Sequence, residues 1–506
     1  MSTINGGISF WYATDGIPTP REPLPGDTTA DVVIVGGGYT GLWTAYYLKK
    51  AAPFLNITVL ESRFCGYGAS GRNGGWLYNG IAGRDRYAKL HGQESAVRLQ
   101  QAMNDTVGEV VRVAGEEGIE ADIHQGGVLE VAYTPAQLGR LKAFHAAEIA
   151  FGEKDRVLLG ARETAERIRV SGAVGATWTP HGARIHPVKL LKGLATAVEA
   201  LGVTVYESTP VTEIRPRHAV TPYGTVRAPY VLRCTEGFTA SLKGQRRAWL
   251  PMNSSMITTE PLGPEVWEAI GWAGRETLGD MAHAYMYAQR TADDRIALGG
   301  RGVPYRFGSR TDNDGRTQAA TVEALREILV RFFPQLAGAR VSHAWSGVLG
   351  VPRDWCASVT PGPYDGARLG GRLRRLGRGH GEPRGAYVAG PGAAGLGAGG
   401  GYLADSSAVG QPRGTAVGAR AVPVAGGAGD VRGVPGRGPA RAADPRGRDR
   451  PHRDPGRPNS GPPLTHPPPG LRPAPLCAVA LPRPAPGWSR GSPRSQPRFR
   501  PRTVRG

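Results

Sequence analysis

An α/β fold is predicted for this 506-residue chain, and three observations predict it. The stretch "ADVVIVGGG" (30–38) runs into "TGLWTAYYLKKAA" (40–52) and then "NITVLES" (56–62), a buried strand, a helix and a second strand. Helical and strand-like segments then alternate for most of the following 300 or so residues. After Thr360 both periodicities vanish, which sets a C-terminal tail apart from the rest. The expected architecture is a Rossmann-type parallel βαβ unit joined to an α+β region, followed by a disordered Arg/Gly/Pro-rich tail.

Residues 1–28 carry Pro18, Pro20, Pro23 and Pro25 and predict an extended N-terminal arm. "HGQESAVRLQQAMNDTVGEVVRVAGEEG" has helical spacing and stops at glycine. "GGVLEVAYTP" predicts a strand and "PAQLGRLKAFHAAEIAFG" another helix. At 187–207 a helix opens on proline, suited to a first helical turn, and leads into a strand. "APYVLRCTEG" is a further apolar strand ending in a polar turn. Between 281 and 300 two β-like runs flank "TADD", a hairpin pattern. "EALREILVRFFPQL" and "VSHAWSGVLGVPRDWCASV" complete the pattern as helix and strand.

The formal charge of +20 is a property of the tail. Residues 361–506 hold 24 arginines, no lysine and seven acids, a net of +17, which leaves +3 for residues 1–360. The tail also lacks isoleucine and methionine, so it cannot bury enough apolar surface to offset its ordering entropy. Cys65, Cys234, Cys356 and Cys477 show neither metal-ligand spacing nor a disulfide framework, and no metal site is expected. With no signal segment and no apolar run able to span a bilayer, a cytoplasmic protein is expected.

Gly36, Gly38 and Gly41 form G-x-G-x-x-G between the first strand and its helix. Gly36 suits the tight turn, Gly38 a close phosphate, and Gly41 close packing of helix on strand. Tyr39 and Thr40 open the helix, whose free N–H groups face an anion. Glu61 follows 25 residues after Gly36, at the end of the second strand. Its carboxylate can accept from both ribose hydroxyls and would repel a 2′-phosphate. A glycine-rich turn without a ligand is the plainer alternative, but every contextual element of a dinucleotide site is present. Directly afterwards comes the glycine-rich loop "SRFCGYGASGRNGGWLYNG" (62–80), which offers backbone donors and little bulk to an extended ligand.

"DVVIVGGGYTGLWTAYYL", Glu61 and "GASGRNGG" together resemble the amine- and amino-acid-oxidising flavoproteins of the D-amino-acid oxidase superfamily. The likeness is greatest to the gamma-glutamylputrescine oxidoreductase-like members, which share the "SFWYA" arm, and it runs from about Ile8 to Thr360. It implies non-covalent FAD in a Rossmann-type domain, with Ser62, Arg63, Ala69, Ser70, Arg72, Asn73, Gly74 and Gly75 against pyrophosphate and flavin, and Trp76 beside them. It maps Val211 in "STPVTEI" to a backbone contact with adenine, where a core valine is the equal alternative. Thr235 and Gly237 in "RCTEG" fall at a turn beside the cofactor. The implied division is an arm (1–28), FAD-binding segments (29–95, 185–245 and 345–360), substrate-domain segments (96–184 and 246–344) and the tail (361–506).

The resemblance implies oxidation of an amine or amino acid, with hydride passing from the carbon next to nitrogen to flavin N5. Oxygen or another acceptor then takes the electrons. Tyr285 and Tyr287 alternate on one face of the expected hairpin, His283 shares it, and Arg290 and Arg301 lie nearby. These are the substrate-pocket candidates, against the alternative that the tyrosines are core aromatics. Cys65 and Cys356 are expected to be inert buried thiols.

The family closes its flavin site with a glycine-rich C-terminal loop, which is missing after "DWCASVT". Yet "RLGGRLRRLGRGHGEPRGAYVAG" (368–390), back-translated and read one nucleotide later, permits "GWAGGYVGSGVATANLAGRTLR", a close image of that loop. The expectation is a reading-frame slip between about Thr360 and Arg368, with residues beyond about 440 lying past the original stop. Three alternatives stand beside a working enzyme: an FAD-binding protein impaired by the frameshift, a bifunctional protein whose basic tail binds nucleic acid, and a non-catalytic NAD sensor. The tail has few aromatics among its arginines, which disfavours nucleic acid. The "GASGRNGG" loop disfavours NAD.

Overall fold

The computed structural model describes residues 2–300, 305–311, 314–352 and 356. A four-stranded, all-parallel sheet carries the N-terminal βαβ unit, in the order Thr204–Tyr206, Ile57–Leu60, Val32–Val35, Tyr230–Arg233. Val32–Val35 is buried along its whole length, as a strand covered on both faces must be. On one face the helices Tyr39–Ala51, Gln93–Glu116 and Pro187–Ala200 bury Trp43, Tyr46, Val110, Leu190 and Leu194 against Ile34 and Val59. On the other, Val33 and Val35 pack against a small sheet of Glu213–Arg215, His218–Thr221, Gly224–Arg227 and Thr28–Thr29.

A nine-stranded mixed sheet forms the second body. Its spine is the antiparallel pair Leu250–Thr259 and Val341–Val351, and the helix Ala319–Phe332 packs across it. Ile257, Leu298, Leu325, Leu329, Phe332 and Trp272 lie in its core.

Two elements differ from expectation. The arm is extended only in its proline-rich second half. Ile4–Asn5 pairs in parallel with Val341–Val351, and Phe10–Asp15 is a helix whose N-terminus is capped by the Ser9 hydroxyl, accepting from the Tyr12 N–H. The first half has no proline, and Phe10, Trp11 and Tyr12 gain a core between the two sheets that outweighs the entropy of ordering a short helix. The hairpin is present as Met286–Arg290 and Ile296–Gly300, but 281–285 is a loop. The Asp280 carboxylate accepts the Met286 N–H at 3.0 Å and closes the loop where the strand begins. The frameshift expectation and the tail lie outside the described residues.

Candidate functional site

The turn after Val32–Val35 is built by close approach. Gly36 has φ of +112°, and a Cβ there would sit 2.4 Å from the Cys234 carbonyl oxygen. A Cβ on Gly41 would lie 2.0 Å from the Gly36 carbonyl oxygen, so helix and turn touch backbone to backbone. Gly38 caps the helix Tyr39–Ala51 without a side-chain bond, and the Ser70 hydroxyl accepts the Tyr39 N–H at 3.0 Å. The N–H groups of Thr40 and Gly41 have no acceptor within the helix. These donors and the helix dipole suit a phosphate.

Glu61 leaves the adjacent strand and accepts N–H bonds from Gly37 (2.8 Å) and Arg63 (3.1 Å) and the Ser62 hydroxyl at 3.2 Å. Burial pushes its carboxyl up, while those donors pull it back toward the ionised form. The loop 208–212 passes alongside, with the Thr209 N–H donating to the Glu61 carbonyl. Val211 in this loop is half-buried, outside any strand, and packs at the edge of the core beside Val33 and Val35.

Residues 62–76 are held from every side. Ser62 and Arg63 are exposed, and the Arg63 guanidinium lies over the Tyr67 ring. Glu207, fully buried, accepts the Cys65 N–H at 2.6 Å and pairs with Arg21 at 3.0 Å. Ala69–Gly71 is a single 3₁₀ turn, and the Asn73 side chain bridges the Ser70 carbonyl and the Gly75 N–H. Arg72 is buried, donates to the Tyr67 carbonyl at 2.8 Å and lies over the Tyr67 ring. Trp11 donates to the Asn73 carbonyl and Trp345 to the Arg72 carbonyl, both at 2.8 Å. Gln289 donates to the Gly74 carbonyl at 2.6 Å. Trp76 donates to the Ala288 carbonyl and meets the Tyr287 ring edge-on.

A narrow cleft opens between this loop and the nine-stranded sheet, walled by Ala69, Arg72, Asn73, Ser254, Tyr287 and Leu349. Tyr287 is buried, bonded to the Ser254 hydroxyl at 2.8 Å, and burial pushes its phenol up. Tyr285 packs beside it, half-buried. His283 sits in an exposed turn, and neither it nor Tyr285 shares a strand face with Tyr287, because the strand begins at Met286. Arg290 is turned away, paired with Asp294 and stacked on Trp267. Arg301 lies outside the described residues.

Thr235 and Gly237 open the 3₁₀ helix Glu236–Ser241, pressed against the strand Val341–Val351: a Cβ on Gly237 would sit 2.7 Å from Val348 Cγ1. Between them Glu236 has a positive φ of +39°, and burial pushes its carboxyl up to about 7. Neither Glu236 nor Ser254 carries a local sequence signal, since distant pairing brings each to its place. Gln289 was within reach, two residues beyond Tyr287 and so on the same strand face.

The sequence model of the DAO family, the FAD dependent oxidoreductases, matches residues 31–406. The chain belongs to the DAO family of FAD-dependent oxidoreductases. This flavoenzyme is 32% identical over 347 residues to gamma-glutamylputrescine oxidoreductase of Escherichia coli K12, covering 67% of this chain and 78% of that protein. It is 29% identical over 382 residues to the probable oxidoreductase OrdL of Rhizobium meliloti, covering 72% and 83%. Glycine oxidase from Geobacillus kaustophilus shares the fold at TM-score 0.53 and 21% identity, over 66% of this chain and 86% of that one. L-proline dehydrogenase from P. horikoshii does so at 0.53 and 18%, over 67% and 86%. The cofactor of this family is FAD, and the Gly36–Gly41 cradle, the open helix terminus and Glu61 fit it. Cys65, Cys234 and Cys356 are unbridged, and burial holds the Cys65 and Cys234 thiols above their ordinary range. No helix among the described residues is long and apolar enough to cross a membrane.

Proposed function

We propose that this flavoenzyme oxidises an amine or amino acid in the cleft between residues 69–73 and the Tyr287–Ser254 wall. The observation that carries the reading is that the loop following the dinucleotide turn and the aromatic face of the second sheet meet in one cleft. The name of the 32% identical relative supports a nitrogen-bearing substrate. When bound, FAD supplies a two-electron acceptor for hydride from the carbon next to the substrate nitrogen.

The protein's part is binding, orientation and exclusion of water. Gly36, Gly38, Tyr39, Thr40 and Gly41 present backbone to the pyrophosphate, Glu61 holds the adenosine ribose, and Val211 meets the adenine. Ser62, Arg63, Ala69, Ser70, Arg72, Asn73, Gly74 and Gly75 line the cofactor's path, with Trp76, Thr235 and Gly237 flanking it. Tyr287 and Tyr285 wall the substrate side. A neutral amine is the reactive form, because a protonated nitrogen holds the lone pair that must assist hydride departure. Oxygen or another acceptor would serve as the final electron sink.

Anaerobic mixing of the flavin-loaded protein with a panel of primary amines, N-methyl amino acids and amino acids tests this. Loss of flavin absorbance with at least one class is expected. A bound flavin that dithionite reduces but no member of the panel does would overturn the reading.

A further inference from the structure

Away from the cleft, the helix Pro135–Ala150 ends at Gly152, whose φ of +86° turns the chain sharply inward. Glu153 is thereby placed with no solvent exposure, and Asp155 follows at the surface. Facing them is His181, in the tight turn between the strands Gly175–Thr179 and Gly182–Arg184. His181 Nε2 lies 2.8 Å from Asp155 Oδ2 and 3.6 Å from Glu153 Oε1, and all three ligand atoms fall within 4.8 Å of one another.

A plain histidine–aspartate bond accounts for one of these contacts only. Glu153 Oε2 is satisfied by the Asn79 amide at 2.6 Å, but Oε1 is fully buried, points at His181 and has no hydrogen-bond donor. A buried carboxylate oxygen without a partner is costly. The neighbouring guanidinium does not help, because Arg156 turns the other way, to Glu130 and Glu148. No lysine or arginine is paired with Glu153 or Asp155 among the described residues. Two carboxylates and one imidazole therefore converge with an unmet negative charge.

We propose that Glu153, Asp155 and His181 bind one divalent transition cation of the Zn²⁺ class. Zinc takes oxygen and nitrogen ligands at about 2.0–2.2 Å in a tetrahedron, which sets ligand atoms roughly 3.3 Å apart. The two histidine–carboxylate spacings, 2.8 and 3.6 Å, bracket that value, and all three atoms lie within 4.8 Å of one another. The imidazole favours zinc over magnesium or calcium, which take oxygen ligands. His181 is 24% and Asp155 58% exposed, which leaves an entry path and a fourth position for water. The Asn79 amide orients the buried carboxylate from behind, as an outer-shell partner does. The ion would clip the 153–155 loop to the 180–181 turn, independently of any cofactor.

The test uses the full chain, stripped with chelator and equilibrated with Zn²⁺, with bound metal counted per protein. The wild type is expected to hold one more zinc than His181→Ala or Asp155→Asn, and each variant to bind at this site at least tenfold more weakly. Histidines and Cys477 elsewhere in the chain are common to all three proteins and cancel. Equal zinc uptake by wild type and variants would overturn the site. Uptake of Mg²⁺ but not Zn²⁺ would overturn the assigned class. Both substitutions fall at partly exposed positions, and circular dichroism checks that the variants remain folded.

Discussion

Glu236 is the residue whose environment departs most usefully from its sequence. Burial raises its carboxyl to about 7, whereas an unfolded chain ionises it near 4.5. In the window between those values the folded protein holds the proton and the unfolded chain has lost it. Its contribution is therefore fully present below about pH 4.5 and declines as pH rises to about 7. Asp280, raised to about 6 by burial, acts in the same direction. His186 acts oppositely: burial lowers it to about 4, so its neutral ring, which accepts the Lys189 N–H, loses its advantage as pH falls below about 6.5. Because these terms overlap, the variant is compared with wild type. Glu236→Gln should shrink the stability difference between pH 5 and pH 7.5 by about 1–2 kcal/mol, allowing for partial exposure, as read from urea midpoints. An unchanged difference would mean that the carboxyl is solvated. None of this was legible in "RCTEG", since desolvation comes from a strand more than a hundred residues away. Gly36, Gly41 and Glu61 were legible because their roles are local: turn, close packing and strand end lie within one βαβ unit.

At the scale of elements, the sequence period located most helices and strands, and the misplacements have physical causes. The N-terminal half of the arm reads as a short amphipathic fragment, and nothing local says that a core awaits it. In the structure Phe10–Asp15 is the wedge that joins both bodies: Trp11 is buried, meets His186 and Trp345 edge-on, and donates to the Asn73 carbonyl in the cofactor loop. The likewise buried Trp345 donates to the next carbonyl back, on Arg72. Two indoles from opposite ends of the fold thus fix consecutive peptides of one loop. Trp11→Phe keeps most of the packing and removes the hydrogen bond, with an expected loss of about 1–2 kcal/mol. Trp11→Ala should cost about 3–5 kcal/mol by opening a cavity. FAD affinity should fall in both variants, since the loop is anchored through this bond. Fluorescence titration with FAD beside urea unfolding checks the pair; stability loss with unaltered FAD affinity would show that the arm supports the core alone.

For the molecule as a whole, the open question is the frame of the chain beyond Thr360. The strand Tyr230–Arg233 is the outer strand of the parallel sheet among the described residues, and it pairs only with Val32–Val35. Tyr230, Val231 and Leu232 are only half-buried, although a strand of this composition suits a sheet interior. The restored reading "GWAGGYVGSGVATANLAGRTLR" is apolar and glycine-rich, whereas residues 361–506 as given carry a net charge of +17. The family match continues to residue 406, across "AYVAGPGAAGLGAGGG", but glycine-rich text in either frame satisfies a glycine-rich pattern, so its extent does not choose between frames. A shifted frame fixes most first and third bases of each new codon and leaves the middle base adjustable, and within that freedom a tryptophan, a tyrosine and six ordered glycines are permitted. We therefore expect DNA across codons 355–370 to show a one-nucleotide slip. The repaired gene should yield a protein with one FAD per chain, while the 506-residue form should bind FAD at least tenfold more weakly. Intact-protein mass confirming the present sequence from independent DNA, together with a fully flavinated preparation of it, would reject the slip. That outcome would also leave the basic tail in need of a role of its own, and salt-sensitive retention on nucleic acid, lost on removing residues 361–506, would then supply one.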